Sequence, residues 1–136
     1  MLDVSDPLPR ALFLCIQNAG RSQMAAAFWG KLGGEARSAG SAPATRVHDA
    51  VAETMREVGI EIGDRVPRRL TDDDAQWVEV VVTMGCGDAC PYIPGRGYVD
   101  WEISDPSGQP PDVVRAIRDD VARHIEELAA NEPRAD

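Results

Sequence analysis

The segment that most constrains this chain is Ala11-Leu12-Phe13-Leu14-Cys15, then Ile16-Gln17-Asn18-Ala19-Gly20, then Arg21-Ser22-Gln23-Met24-Ala25-Ala26-Ala27-Phe28-Trp29. An apolar run of strand length ends at a cysteine. A short loop follows, and a helix-forming run opens with an arginine and a serine. A helix N-terminus leaves backbone N–H groups without intrahelical partners, and its dipole favours negative charge. A loop of five residues between Cys15 and Arg21 can curl its N–H groups inward as a nest. Asn18 and Gly20 are the residues in it best suited to a positive φ. Arg21 can hold two oxygens of a tetrahedral oxyanion in a fork. The same positive field stabilises a thiolate at Cys15, and the Ser22 hydroxyl can donate to the sulfur. The stretch therefore predicts an anion cradle, formed by Ile16, Gln17, Asn18, Ala19, Gly20 and Arg21, with a nucleophile at its floor.

A second run, Val78-Glu79-Val80-Val81-Val82-Thr83-Met84, is almost continuously apolar and β-branched. That is the composition of a parallel strand covered on both faces. It leads into Gly85-Cys86-Gly87-Asp88-Ala89-Cys90-Pro91. In open α/β sheets, ligands bind outside the carboxyl ends of the strands, so both cysteine-bearing loops are expected at one edge of the sheet.

Between and beyond these runs, strand and helix signals alternate. Residues 1–10 read as a loose lead-in. Residues 11–16 form the first strand, and residues 21–32 the first helix, ended by Gly33-Gly34. Ala36–Ser41 forms a second strand, and residues 46–58 a helix with Val47, Val51, Met55 and Val58 on one face. Thr71 opens a short helix ending near Trp77. Tyr98–Trp101 forms a fourth strand. A long final helix follows Pro110-Pro111-Asp112 and runs to about Ala130, with Val113, Val114, Ile117, Val121, Ile125 and Leu128 on one face. Residues 131–136 form a loose tail. Strands alternating with helices imply an α/β fold, a parallel sheet flanked by helices, in a single domain spanning the 136 residues.

Net charge of −9 argues against a nucleic-acid partner, which needs a basic surface. Oxyanion binding would then rest on the local cradle, not on global steering. No apolar run approaches a membrane span, and the opening residues lack the basic start and apolar core of a secretion signal. A cytoplasmic monomer is expected, with no membrane partner. Three cysteines, Cys15, Cys86 and Cys90, are an odd count that suggests thiol chemistry in place of a disulfide framework. No metal and no cofactor are expected. His48 reads as a surface or capping residue in preference to a catalytic one, His124 as a helix-surface residue in preference to a ligand, and Arg65-Val66-Pro67-Arg68-Arg69 as a solvated basic loop in preference to one that flanks an anion site.

With these residues in place, the chain resembles the thioredoxin-coupled arsenate reductases, which share the fold of low-molecular-weight protein tyrosine phosphatases. The resemblance rests on Cys15 through Ala25, Ser38-Ala39-Gly40, Val81-Val82-Thr83-Met84 leading to Cys86, Cys90-Pro91, and Asp105-Pro106-Ser107-Gly108. It implies a four-stranded parallel sheet flanked by helices. It also implies reduction of arsenate by three thiols: Cys15 as nucleophile, then Cys86 and Cys90 as resolving thiols, with the disulfide recycled by thioredoxin or a similar dithiol protein. Asp105 would be the general acid, with Asp100 the fallback. Two features depart from the family pattern. Cys86 and Cys90 are separated by only three residues, fewer than in the family. Ala25-Ala26-Ala27 stands where some members carry an acidic potassium ligand.

Two other readings remain open on the sequence. A low-molecular-weight protein tyrosine phosphatase needs only Cys15, Arg21 and Asp105. A non-enzymatic oxyanion or redox sensor would use Cys15 to bind and the loop to report.

Overall fold

The computed structural model describes residues 8–85, 93 and 96–131. The elements run β1 (Ala11–Cys15), α1 (Arg21–Lys31), β2 (Ala36–Gly40), α2 (Asp49–Arg56), α3 (Asp72–Trp77), β3 (Val80–Thr83), β4 (Gly97–Asp100) and α4 (Pro111–Asn131). The sheet has four strands in the order β2-β1-β3-β4, and every pair is parallel. The chain leaves β1 for β2 on one side, then returns to place β3 on the other. That reversal puts the crevice of an open α/β sheet at the carboxyl ends of β1 and β3.

Side-chain alternation along β1 divides the core between the two faces of the sheet. Ala11, Phe13 and Cys15 join Val80 and Val82 in a cluster with α1, α2 and α4. Leu12 and Leu14 join Val81, with Ala75 and Trp77 of α3 packed beside them. Phe13 is the hub of the first face, meeting Trp29 edge-on at 6.2 Å and Trp101 at 6.0 Å. β1 and β3 are buried throughout, as a run of valines covered on both faces requires. β4 is the exposed edge. The small residues Ala25, Ala26 and Ala27 let α1 lie close on the sheet, and all three are buried.

The strands and helices fall where the periodicity puts them, with shifts at their ends. α2 is shorter than the expected 46–58. It begins at Asp49 because His48 takes an extended conformation, with ψ at 133°. It ends at Arg56, where tighter bonds from Val58 to Met55 and from Gly59 to Arg56 replace the helical pattern. Val58 is consequently exposed. β3 starts two residues late because Val78 closes α3 and the Glu79 N–H goes to Arg10 O. Trp101 lies just past β4, though its N–H still donates to Thr83 O. On α4, Val114, Ile117, Val121, Ile125 and Leu128 are buried, and Val113 packs at the edge of the core. No described helix is long and apolar enough to cross a membrane.

Candidate active site

The loop after β1 is held by its carbonyls. Ser41 N–H donates to Cys15 O, Ala42 to Ile16 O, Ala44 to Gln17 O and His48 to Ala19 O. The carbonyls are thus tied to the chain between β2 and α2, while the N–H groups of residues 16–20 donate to no acceptor among the described residues. The first α1 hydrogen bond runs from Met24 N to Gly20 O, so the N–H groups of Arg21, Ser22 and Gln23 have no intrahelical acceptor. No acidic side chain occupies the first turn of α1 and no side chain caps it. The helix end stays open to an anion.

Asn18 takes the positive φ, at 53°. Gly20 does not; its φ is −142°. Gly20 is required for space instead, since a Cβ there would sit 2.9 Å from Pro106 Cγ. The glycine lets the Asp105-bearing segment close over the loop.

Cys15 is 2% exposed, and its Sγ lies 2.9 Å from Ser22 Oγ. Asn18 Nδ2 donates to the same Ser22 oxygen at 2.7 Å. The serine hydrogen is thereby free to point at the sulfur. Asn18 is itself fixed on its other atoms. Gln23 Nε2 donates to Asn18 O and Oδ1 at 3.0 and 3.2 Å, and the Arg68 N–H donates to Asn18 Oδ1 at 3.0 Å. This chain of buried hydrogen bonds fixes the serine that faces the sulfur.

Arg21 is held at the opposite side. Its Nη1 donates to Ile103 O at 3.1 Å, and its Nη2 lies 3.8 Å from Asp105 Oδ2. Gly85, at the end of β3 with φ +82°, leaves room for the guanidinium; a Cβ there would fall 2.3 Å from Arg21 Nη1. Asp105 Oδ1 accepts from the Ser107 N–H at 2.9 Å, a turn that aims the other oxygen at Arg21.

These groups enclose a cavity of about 90 Å³ lined, among the described residues, by Cys15, Ile16, Gln17, Ala19, Gly20, Arg21, His48 and Asp105. Pockets for drug-sized ligands run to about 300–1,000 Å³; this one suits a single small oxyanion. Asn18 and Ser22 stand behind its wall. Asp100 is not on it: its carboxylate accepts from Thr83 Oγ1 across the β3–β4 pair at 2.5 Å. Cys86 and Cys90 lie outside the described residues. Among the described residues, no group of three or more His, Cys, Asp or Glu side chains is arranged to hold a metal ion.

Two sequence expectations change here. His48 is a wall residue of the cavity, and although it occupies the N-cap position its side chain caps nothing. Arg68 is not a freely solvated cation. It forks onto Asp74, with Nη1 to Oδ2 and Nη2 to Oδ1 both at 2.7 Å. Asp74 is 1% exposed and also accepts from Arg37 at 3.1 Å and from the Thr71 N–H at 2.9 Å. Burial alone would raise its pKa, but these hydrogen bonds, Arg68 foremost, hold the carboxyl well below the usual range. The basic loop therefore buttresses the cradle from behind through the Arg68–Asn18 bond.

The family model for low molecular weight phosphotyrosine protein phosphatase matches residues 10–134. This chain belongs to that family. Members of more than one kind resemble it. A Synechocystis glutaredoxin arsenate reductase is 32% identical over 128 residues, covering 90% of this chain and 98% of that one. The solved Corynebacterium glutamicum thioredoxin-dependent arsenate reductase is 43% identical, with a TM-score of 0.76 over 92% of this chain. This chain spans 62% of that longer one. The YwlE arginine phosphatase from Geobacillus stearothermophilus is 29% identical with a TM-score of 0.78, covering 90% of this chain and 91% of that one. Both reductases and a phosphatase share this fold, so the fold alone does not decide between their chemistries.

Proposed function

We propose that this family member reduces arsenate to arsenite by a relay of Cys15, Cys86 and Cys90, and that thioredoxin or a similar small dithiol protein recycles it. The observation that carries the reading is the Cys15 sulfur at the floor of an oxyanion-sized cavity, beside Ser22, Arg21 and the open end of α1. Two further cysteines follow β3 in a chain with three in all. The names of the arsenate reductases among its relatives support the same substrate.

In the first step the Cys15 thiolate attacks arsenic. Arg21 and the loop N–H groups hold the oxyanion charge, and Asp105 gives a proton to the departing oxygen, which leaves as water. The product is a Cys15–arsenic(V) adduct. The Cys86 thiolate then attacks the Cys15 sulfur. A Cys15–Cys86 disulfide forms, the sulfur–arsenic bond breaks, and its electron pair leaves with arsenic as arsenite. Cys90 next attacks Cys86, forming Cys86–Cys90 and releasing the Cys15 thiolate. An external dithiol reduces that disulfide by ordinary exchange. Each cycle moves two electrons, from two thiols to arsenic. Residues four apart on one helical turn have Cα atoms roughly 6 Å apart, within the disulfide range, so a spacing of this length is compatible with a disulfide once the segment adopts such a turn.

A phosphatase of the same fold would need no second thiol and would end by hydrolysing a phosphocysteine. The test is arsenate-dependent NADPH oxidation with thioredoxin and its reductase, run on the wild type and on Cys90→Ser. Many turnovers in the wild type and a stall after one cycle in the variant support the relay. Aryl phosphate hydrolysis without arsenate-dependent oxidation would replace it with the phosphatase reading. Substituting glutaredoxin and glutathione in the same assay identifies the donor.

A further inference from the structure

One group on the cavity wall has no part in the relay. His48 occupies the position where Ser, Thr, Asp or Asn would cap a helix, yet its side chain makes no cap hydrogen bond. Its ring has no hydrogen-bond partner among the described residues. The backbone, by contrast, is pinned on both sides. His48 N donates to Ala19 O at 3.0 Å, and His48 O accepts from Ala52 N at 3.0 Å. The residue is thereby tied to the cradle loop, with its side chain in the wall that also holds Cys15, Arg21 and Asp105. The ring lies against Gly20, where a Cβ would meet His48 Cδ2 at 3.7 Å.

The ring is half-buried and makes no hydrogen bond to a described residue, so its N–H is available to a ligand that enters the cavity. A tetrahedral oxyanion presents four oxygens. The loop N–H groups and the Arg21 fork approach from β1 and α1. Among the described lining residues, His48 is the one polar side chain contributed from the α2 side. We infer that His48 contacts the substrate directly, donating a ring N–H to an oxygen of the bound oxyanion and so setting affinity for an unesterified tetrahedral anion. The inference rests on the oxyanion reading of this cavity. It adds a contact residue from a helix that the sequence pattern treats as structural.

The experiment uses inorganic phosphate and arsenate as probes. His48→Ala should raise the KM for arsenate and the Kd for phosphate by about tenfold, the weight of one hydrogen bond to a charged group, and leave kcat within about twofold. His48→Ser restores a good N-cap, but its short side chain does not reach where the ring N–H groups lie, so it should lose the same affinity. Full recovery by Ser would mean that His48 acts only on the helix and would overturn the inference. In the wild type, the ¹⁵N resonances of the His48 ring should move on phosphate addition together with the amides of residues 16–21. Movement of the amides without the ring would refute the contact and leave the oxyanion site standing. No movement of either would remove the oxyanion site itself, and the His48 contact with it.

Discussion

Replacing Asp74 with asparagine removes the anion that joins the basic loop to the rest of the molecule. Asp74 is 1% exposed and receives two 2.7 Å bonds from Arg68 and one of 3.1 Å from Arg37. Hydrogen bonds to charged groups are worth about 1.5–3 kcal/mol each. The Arg68 and Arg37 side chains are 39% and 32% exposed, so water recovers much of what they lose. The substitution should therefore cost about 3 kcal/mol in total. At about 2.1 cal/mol/K per residue the unfolding entropy is roughly 0.3 kcal/mol/K, and the Tm should fall by about 10 °C. The sign of the pH dependence is also fixed. The folded-state pKa of Asp74 is depressed, so its stabilisation is complete above the unfolded value near 3.9 and fades as pH falls below it. Asp74→Asn has no such group to lose. Circular dichroism melts at pH 7 and pH 3 should show the gap between the two proteins narrowing at the lower pH. A gap below about 3 °C at pH 7, or one that does not change with pH, would refute the idea that a buried ionised Asp74 anchors this loop.

Four further outcomes are expected. Ser22→Ala removes the hydroxyl 2.9 Å from Cys15 Sγ and should lower kcat/KM about 10–100-fold. It also leaves the buried Asn18 Nδ2 without its acceptor, so Tm should fall by about 3–10 °C; single-turnover kinetics with arsenate and a thermal melt would measure the two effects. Gly85→Ala puts a Cβ 2.3 Å from Arg21 Nη1 at a φ of +82°, so phosphate affinity by titration calorimetry should fall at least tenfold and stability by about 1–2 kcal/mol. Asp105→Asn should slow adduct formation about 100-fold, the usual weight of a general acid; rapid-mix kinetics with arsenate would measure it. Glu57, whose pKa is lowered chiefly by its hydrogen bond to Arg115, is 41% exposed; Glu57→Gln should move Tm by only about 2–4 °C or less.

The sequence carried the sheet and the floor of the site because both are local. A valine run reports two covered faces without knowing its neighbours, and Cys15 through Ser22 places a thiol, a loop and a helix end within one short segment. The Thr71 cap was legible for the same reason, and it appears as a full capping box with Asp74. What escaped was long-range. Arg68 reads as solvated until Asp74, on the next helix, is brought beneath it and Asn18, 50 residues away, accepts its N–H. His48 looks like a cap because cap residues are recognised by position; it does hold the N-cap position, but its side chain makes no cap bond and lines the cavity instead. Gly20 was singled out for its φ, but the reason it must be glycine is Pro106, which no local pattern reveals.

The relay itself is tested most directly by mapping disulfides after one equivalent of arsenate, with no external reductant. Peptide mass spectrometry should find Cys86–Cys90 in the wild type with Cys15 free, and Cys15–Cys86 in Cys90→Ser. Wild-type protein that forms one arsenite per chain yet carries no bond between Cys86 and Cys90 would contradict the account.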